Sequence, residues 1–223
     1  MLKGYWDLRD TPQGALSRSL TAVSRRAMNR TDICDHLEML FVECLAIPAA
    51  LIVELGCGDG ESTYVLERVA KLWDAALVSV DIEDRADVGS YSRRSFVKKD
   101  DVAFAAEFSG WCAAQGLPEK IDILFIDTSH LYEHTREEIA AWFPHLNPRC
   151  KVVFHDTHLE EVFTRKDGTT GRGWDNERGV IRAIEDYFGV DFDETQDFLK
   201  ERNGWLIRHW RHCNGLMIMD RYD

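Results

Sequence analysis

Along this chain, short continuous apolar runs alternate with stripes of apolar residues at three- and four-residue spacing. The runs predict buried strands at Leu51–Leu55, Ala76–Val80, Ser95–Lys98, Ile121–Ile126 and Lys151–Phe154. The stripes predict helices between them. Glu61–Trp73 places Val65, Leu66, Val69, Leu72 and Trp73 on one face. Val102–Gln115, Glu133–Phe143 and Gly179–Phe188 repeat the pattern. Ahead of them, Asp32–Leu45 carries Ile33, Leu37, Leu40, Phe41, Cys44 and Leu45 at helical spacing. Trp205–Arg211 and Leu216–Arg221 flank a Cys-Asn-Gly turn and read as a terminal hairpin.

Strands alternating with helices imply a doubly wound α/β fold: a mostly parallel, seven-stranded sheet with helices on both faces and an antiparallel C-terminal hairpin. The near-continuous Ile121–Ile126 run suits a central strand buried on both faces. The organisation expected is a helical lead-in over residues 1–50 and a single domain over 51–223. The lead-in is basic at Arg18, Arg25, Arg26 and Arg30 and has Tyr5 and Trp6 near its start. It either covers a ligand pocket or packs on the sheet flank.

A net charge of −12 argues against a nucleic-acid partner, because phosphate contacts need a basic surface. The longest apolar run, Cys44–Val53, contains Pro48 and is too short to span a membrane. The first residues lack a basic-then-apolar leader. Cysteines 34, 44, 57, 112, 150 and 213 show no C-x-x-C pairing and read as reduced thiols in a cytoplasmic protein. The aromatic-rich termini suit either the core or a homodimer surface.

The chemistry gathers where strands end. Glu54, Asp81, Asp127 and Asp156 close four of the five strands, and in a doubly wound sheet ligands sit at those carboxyl ends. The first strand runs into Gly56, Gly58 and Gly60 in LIVELGCGDG, one residue tighter than a dinucleotide turn, and Asp81 follows twenty-one residues after Gly60. A pyrophosphate favours bare amides, whereas an ammonium and a sulfonium favour acids beside the turn.

The spacing E-x-G-x-G-x-G resembles motif I of the class I S-adenosylmethionine-dependent methyltransferases. The resemblance implies that Glu54, Gly56, Gly58 and Asp59 lie along the methionine moiety, that Asp81 holds the ribose hydroxyls, and that Asp101 and Asp127 complete the cofactor site. Asp100 and Asp101 sit where relatives meet the adenine amino group; Asp101 also reads as the start of a capped helix.

FIDTSHLYEHTREEIAAWFPHLNP and VVFHDTH are similar to a methyltransferase group that includes cephalosporin-hydroxylase-like and macrolide-sugar O-methyltransferases. The matching positions are Asp127, His130, Tyr132, His155 and Asp156. Many relatives bind a divalent cation at these strand ends. The resemblance therefore implies Mg²⁺, Mn²⁺ or Fe²⁺ at Asp127, His155 and Asp156. His155 replaces an acid of that pattern, which shifts preference to softer ions. It equally allows a metal-free site in which His130 or His158 is the general base. The catalytic set expected is Asp127, His130, His155 and His158.

The resulting expectation is O-methylation of a small molecule. Rival readings are a nicotinamide-dependent oxidoreductase, a cofactor-binding fold performing a non-methylating metal-dependent reaction, and a non-catalytic scaffold. The glycine-rich loop Leu159–Arg178 reads as a binding loop in which Trp174 closes over an acceptor, or as disorder. His134, Glu137 and Glu138 read as a solvated helix face.

Overall fold

The continuous apolar runs form the inner strands of one eight-stranded sheet, seen in a computed structural model that describes residues 12–222. Two helices lead in, α1 (Pro12–Ala27) and α2 (Leu37–Leu45). The alternating part follows as β1 (Leu51–Leu55), α3 (Glu61–Trp73), β2 (Ala76–Asp81), β3 (Arg94–Lys98), α4 (Asp101–Ala105), α5 (Phe108–Gln115), β4 (Ile121–Ile126), α6 (Tyr132–Trp142) and β5 (Leu146–His155). A small ribbon of β6 (Val162–Thr164) and β7 (Thr170–Arg172) precedes α7 (Gly179–Phe188). Strands β8 (Phe198–Arg202), β9 (Trp205–Trp210) and β10 (Leu216–Arg221) end the chain.

The sheet order is β3-β2-β1-β4-β5-β10-β9-β8, parallel through β5, with β10 antiparallel to both its neighbours. Strand order reverses between β1 and β4, which opens a crevice above their carboxyl ends. Each face of the sheet carries its own core. On one side α1, α2 and α3 bring Val23, Leu40, Phe41 and Val65 against Ile52, Leu77 and Ile123. On the other, Phe104, Phe108, Trp142 and Ile184 cover Val53, Val78 and Leu124. At a central 25 cal/mol per Å² of apolar area, each fully buried Leu or Phe contributes about 1.5–3 kcal/mol against chain entropy.

Several boundaries differ from those expected. The sheet has an eighth strand, β8, at an exposed, charged edge where no apolar pattern marks it. Its sequence signal is Asn203-Gly204, a two-residue hairpin turn with both residues left-handed, joining β8 to β9. The helix expected over Val102–Gln115 is split at Ala106 and Glu107, where the Glu107 amide turns back to the Phe104 carbonyl. Strand β5 starts at Leu146, five residues before the apolar run, because Leu146 already pairs with Ile121. The helix expected from Asp32 opens as a 3-10 turn at Cys34–His36 before α2 begins. Tyr5 and Trp6 lie outside the described residues.

The lead-in is tied down by charge as well as packing. Buried Lys151 on β5 bonds Glu43 of α2 at 2.9 Å and Asp220 of β10 at 2.5 Å. Arg208 of β9 bonds the same two acids at 2.6 and 2.5 Å, so each carboxylate meets two cations. Among the described residues, no helix is long and apolar enough to cross a membrane. All six cysteines are unpaired and buried.

Candidate active site

The crevice is built on one backbone contact that demands glycine. At Gly56, φ is +80°, and a Cβ would lie 1.8 Å from the Asp127 carbonyl oxygen. The β1 exit can therefore lie against the β4 exit only without a side chain. Gly58 faces open space, where a ligand can approach bare backbone. Asp81 is fixed from below: its carboxylate accepts the Cys57 amide at 2.9 Å and the Glu83 amide at 2.8 Å.

Two cavities of about 550 Å³ each meet at this turn. One is lined by Gly56, Asp81, Ile82, Asp101, His134 and Trp174, and the other by Asp32, Cys57, Asp59, His130 and Asp156. Gly58, Arg85, Asp127 and Thr128 belong to both, so the walls of one are the floor of the other. A larger hollow of about 710 Å³ lies between α6 and α7, and none of its lining residues stands at a strand exit.

In the second cavity two aspartates and two histidines form a closed square. His130 Nε2 lies 3.1 Å from Asp127 Oδ1 and 2.7 Å from Asp156 Oδ2. His155 Nδ1 lies 3.4 Å from the other oxygen of each, Asp127 Oδ2 and Asp156 Oδ1. His130 and Asp156 both hold left-handed backbone, at φ 59° and 54°, a cost accepted where geometry over-determines the residue. Trp174 packs against the His130 ring, tilted by 31°, with centroids 5.1 Å apart.

Electrostatics follow from this square. Burial disfavours a charged His130, but hydrogen bonds to Asp127 and Asp156 outweigh it and raise its pKa from 6.5 to about 10. For His155, too, burial opposes the charged form, and the Asp156 and Asp127 carboxylates win, holding it well above the usual range. Burial would raise both aspartates, yet the histidines pull them below the ordinary carboxylate range.

A folded-state pKa raised above the unfolded one stabilises fully below the unfolded value and is lost as pH rises through the folded one. The contribution of His130 is therefore expected to be intact below about pH 6.5 and to decline as pH rises to about 10. Denaturant titrations of metal-free protein across that range check this. Flat stability would show that His130 is neutral in the fold.

The square also fits a divalent cation. His155 Nε2 donates to the Cys213 carbonyl at 3.2 Å, so a cation that displaced the Nδ1 proton would find that nitrogen aimed at it between the acids. His155 Nδ1 and Asp156 Oδ1 are buried without a hydrogen-bond partner. Together with Asp127 they place three donor atoms within 4.8 Å of one another. One nitrogen and two carboxylate oxygens suit Mn²⁺, Fe²⁺ or Mg²⁺.

The other expected site residues divide. Gly56, Gly58, Asp81, Asp101 and Asp127 line the cofactor-sized cavity, and Asp59 stands exposed at the mouth of the other beside Arg85. Glu54 does not reach either one. It is fully buried and accepts hydrogen bonds from Ser62, Thr63 and Ser79 at 2.6–2.9 Å, tying β1 to α3 and β2. His158 also misses the square. Its Nδ1 bonds the Arg211 carbonyl and its Nε2 faces Glu160, because its amide pairs with Asn214 and turns the ring outward. His134 and Glu138 are not a solvated face: Glu138 is fully buried and His134 bonds Asp101 at 3.0 Å, while Glu137 is exposed.

Asp32 was not expected here. It reaches the mouth of the second cavity from the lead-in. There lost solvation raises its carboxyl, His155 lowers it, and Asp127 and Asp156 raise it again. Only its place before an apolar stripe marks it in the sequence, and that equally describes a helix cap.

Residues 53–157 match a family described as a methyltransferase domain. A stretch of 41 residues is 39% identical to the uncharacterized protein y4gI of Sinorhizobium fredii (strain NBRC 101917 / NGR234), covering 18% of this chain and 4% of that protein. The O-methyltransferase from Bacillus cereus, solved in complex with S-adenosylhomocysteine, is similar in fold, with a TM-score of 0.55 at 12% identity over 93% of this chain and 90% of that one. So is MycE methyltransferase from the mycinamycin biosynthetic pathway, solved with Mg and S-adenosylhomocysteine, with a TM-score of 0.53 at 17% identity over 91% of this chain. The chain spans between 37% and 53% of MycE across the structures matched. Over residues 53–157 this chain is similar to a methyltransferase domain, and its fold is the Rossmann-like fold of the methyltransferases it resembles.

Proposed function

We propose that this protein transfers a methyl group from S-adenosylmethionine to an oxygen of a small molecule, assisted by a divalent cation. The observation that carries this reading is the shared wall. Gly58, Asp127 and Thr128 border both the cavity floored by the glycine turn and the cavity holding the His–Asp square. A cofactor in the first and an acceptor in the second would meet there, and orientation of that kind supplies much of the catalysis in bimolecular transfer.

When bound, the cofactor supplies an electrophilic methyl group on a sulfonium. The acidic surroundings of the turn, Asp81 and Asp127, favour that positive charge. A cation held by Asp127, His155 and Asp156 would lower the pKa of a substrate hydroxyl. His130 already carries its proton between two carboxylates, so it acts as a fixed positive charge that orients them. The proton leaving the acceptor has Asp32 in the same cavity to receive it, a carboxyl whose proton affinity burial raises. The segment ahead of α2 brings Asp32 to that mouth, and Trp174, packed against His130, stands in the wall of the cofactor cavity. The cytoplasm, which supplies S-adenosylmethionine, fits six unpaired thiols.

Calorimetric titration with S-adenosylhomocysteine, in chelated buffer and then with Mn²⁺, tests the reading. Saturable binding without metal and a further heat on adding Mn²⁺ are expected. No binding of S-adenosylhomocysteine in either condition would exclude methyl transfer. Binding without a metal response would remove the cation from it.

A further inference from the structure

The stretch that the sequence marks as a binding loop or disorder folds into the β6–β7 ribbon, and no residue of 162–172 lines either cavity. Its contacts run to the lead-in instead. Arg165 Nε donates to the Thr31 carbonyl at 3.0 Å, the Lys166 amide to Asp35 Oδ2 at 2.7 Å, and the Lys166 ammonium to the Asp35 carbonyl at 3.2 Å. Asp167 pairs with Arg30 at 3.2 Å. Beside them Cys34, Phe163 and Cys213 bury a small apolar cluster. The ribbon is itself held by the turn between β9 and β10, whose Cys213 amide donates to the Thr164 carbonyl at 3.1 Å. That turn also presents the Cys213 carbonyl to His155.

Arg165 is the exceptional contact. It is only 8% exposed, and among the described residues it forms no ion pair. Its guanidinium donates to two backbone carbonyls, Nε to Thr31 and Nη1 to Thr170 at 2.8 Å, and lies over the Phe163 ring at 4.8 Å. Burying a cation without a counter-ion is costly. Closing the ribbon does not require it, since β6 and β7 already pair through their backbones. What Arg165 adds is the bond to Thr31. The Thr31 carbonyl and the Asp32 amide share one planar peptide, so fixing that oxygen fixes the direction in which the chain enters Asp32. Residues 28–33 lie in neither helix nor strand, so no ladder of their own orients them. The Cys213 thiol donates to the same carbonyl at 3.7 Å. Asp32 then stands in the cavity with Asp127, His130 and Asp156.

We infer that Arg165 is a positioning residue for Asp32, and that the β6–β7 ribbon clamps the lead-in so that Asp32 adds its negative charge to the cation site of Asp127, His155 and Asp156. The inference rests on the proposed cation-assisted transfer. Arg165 acts through the peptide, because its donors go to carbonyls. Asp32 acts through its charge, because a carboxylate in the same cavity attracts a cation without touching it.

The test is a double-mutant cycle on the full chain. The Mn²⁺ dissociation constant is read by electron paramagnetic resonance, and alkylation of Cys34 by iodoacetamide is followed by mass spectrometry. Asp32→Asn is expected to weaken Mn²⁺ binding by about three- to fivefold. Arg165→Met is expected to weaken it by about the same factor alone, and by less than about 1.5-fold once Asp32→Asn is present. Cys34, two residues after Asp32 and 5% exposed, is expected to alkylate about tenfold faster in Arg165→Met. S-adenosylhomocysteine affinity stays within about twofold, because neither the ribbon nor the lead-in lines the cofactor cavity. Lysine keeps the charge but has no fork to span Thr31 and Thr170, so Arg165→Lys carries the same test should Arg165→Met fail to fold. An Arg165 effect on Mn²⁺ that persists in full beside Asp32→Asn would overturn the inference. So would unchanged Mn²⁺ affinity in Arg165→Met, or unchanged alkylation of Cys34. No Mn²⁺ binding by the unmodified protein, with S-adenosylhomocysteine still bound, would overturn the cation reading and the role of Asp32 with it.

Discussion

Asp156→Asn is expected to lower the rate of methyl transfer by about 10²–10³-fold while S-adenosylhomocysteine affinity stays within about twofold. The split follows from position. Asp156 lines the cavity of the His–Asp square and is absent from the wall of the cofactor cavity, whereas Asp127 borders both. Asparagine is the informative replacement because Asp156 is left-handed at φ 54°, a conformation asparagine tolerates and alanine does not. The substitution removes charge without adding backbone strain. One carboxylate oxygen becomes an NH₂ that must face either the His130 N–H or the position where a cation would be held with His155. Mn²⁺ affinity, read by electron paramagnetic resonance, is expected to fall with the rate. Unchanged turnover and unchanged Mn²⁺ affinity together would show that the square is only a structural ion cluster. A proportional loss of cofactor affinity would show that the two cavities are not separate in function.

Gly56→Ala carries the second large effect, and it falls on the fold. The added methyl would sit 1.8 Å from the Asp127 carbonyl oxygen, and no side-chain rotation can relieve a clash with backbone. Overpacking and the left-handed conformation together cost about 3 kcal/mol or more. For a domain of this size that corresponds to a melting temperature lower by about 6–12 °C. The β4 exit would be pushed away, taking Asp127 out of both cavities. Gly58→Ala is the control, because a Cβ there meets nothing within 4 Å. Its melting temperature should drop by only about 2–4 °C, from backbone strain. Its methyl enters the cavity, so S-adenosylhomocysteine affinity should fall about tenfold or more. Equal melting temperatures for the two variants would refute the close approach of β1 and β4.

The two variants separate what a glycine motif conceals. In sequence, Gly56 and Gly58 are equivalent members of one triplet; in the fold one makes room for protein and the other faces open space. Glu54 shows the same limit. It ends a strand among the residues of the cofactor turn, yet its carboxylate points to Ser62, Thr63 and Ser79 and serves the joint between β1, α3 and β2.

By itself the sequence determined the order of strands and helices, the position of the turn after β1, and the edge of the sheet where acids collect. These are local or topological properties. Apolar periodicity decides which elements form, and the handedness of parallel crossovers brings their carboxyl ends to one side. The placement of Asp81, Asp127 and Asp156 at that edge was legible for that reason, while His130 and His155 stood out only through the resemblance. Only the tertiary structure decided which way side chains at those ends point. His158 lies two residues after Asp156 yet turns out to Glu160, because the amide of His158 is taken by Asn214 from a distant turn. Asp32 arrives at the cavity mouth from 95 residues before Asp127, and Glu138 is buried on a helix face that composition marks as polar. The ring of His155 is held at Nε2 by the Cys213 carbonyl, 58 residues away. Hydrogen bonds between such distant segments leave no periodic trace in the chain, and they fix which of the acids and histidines act together.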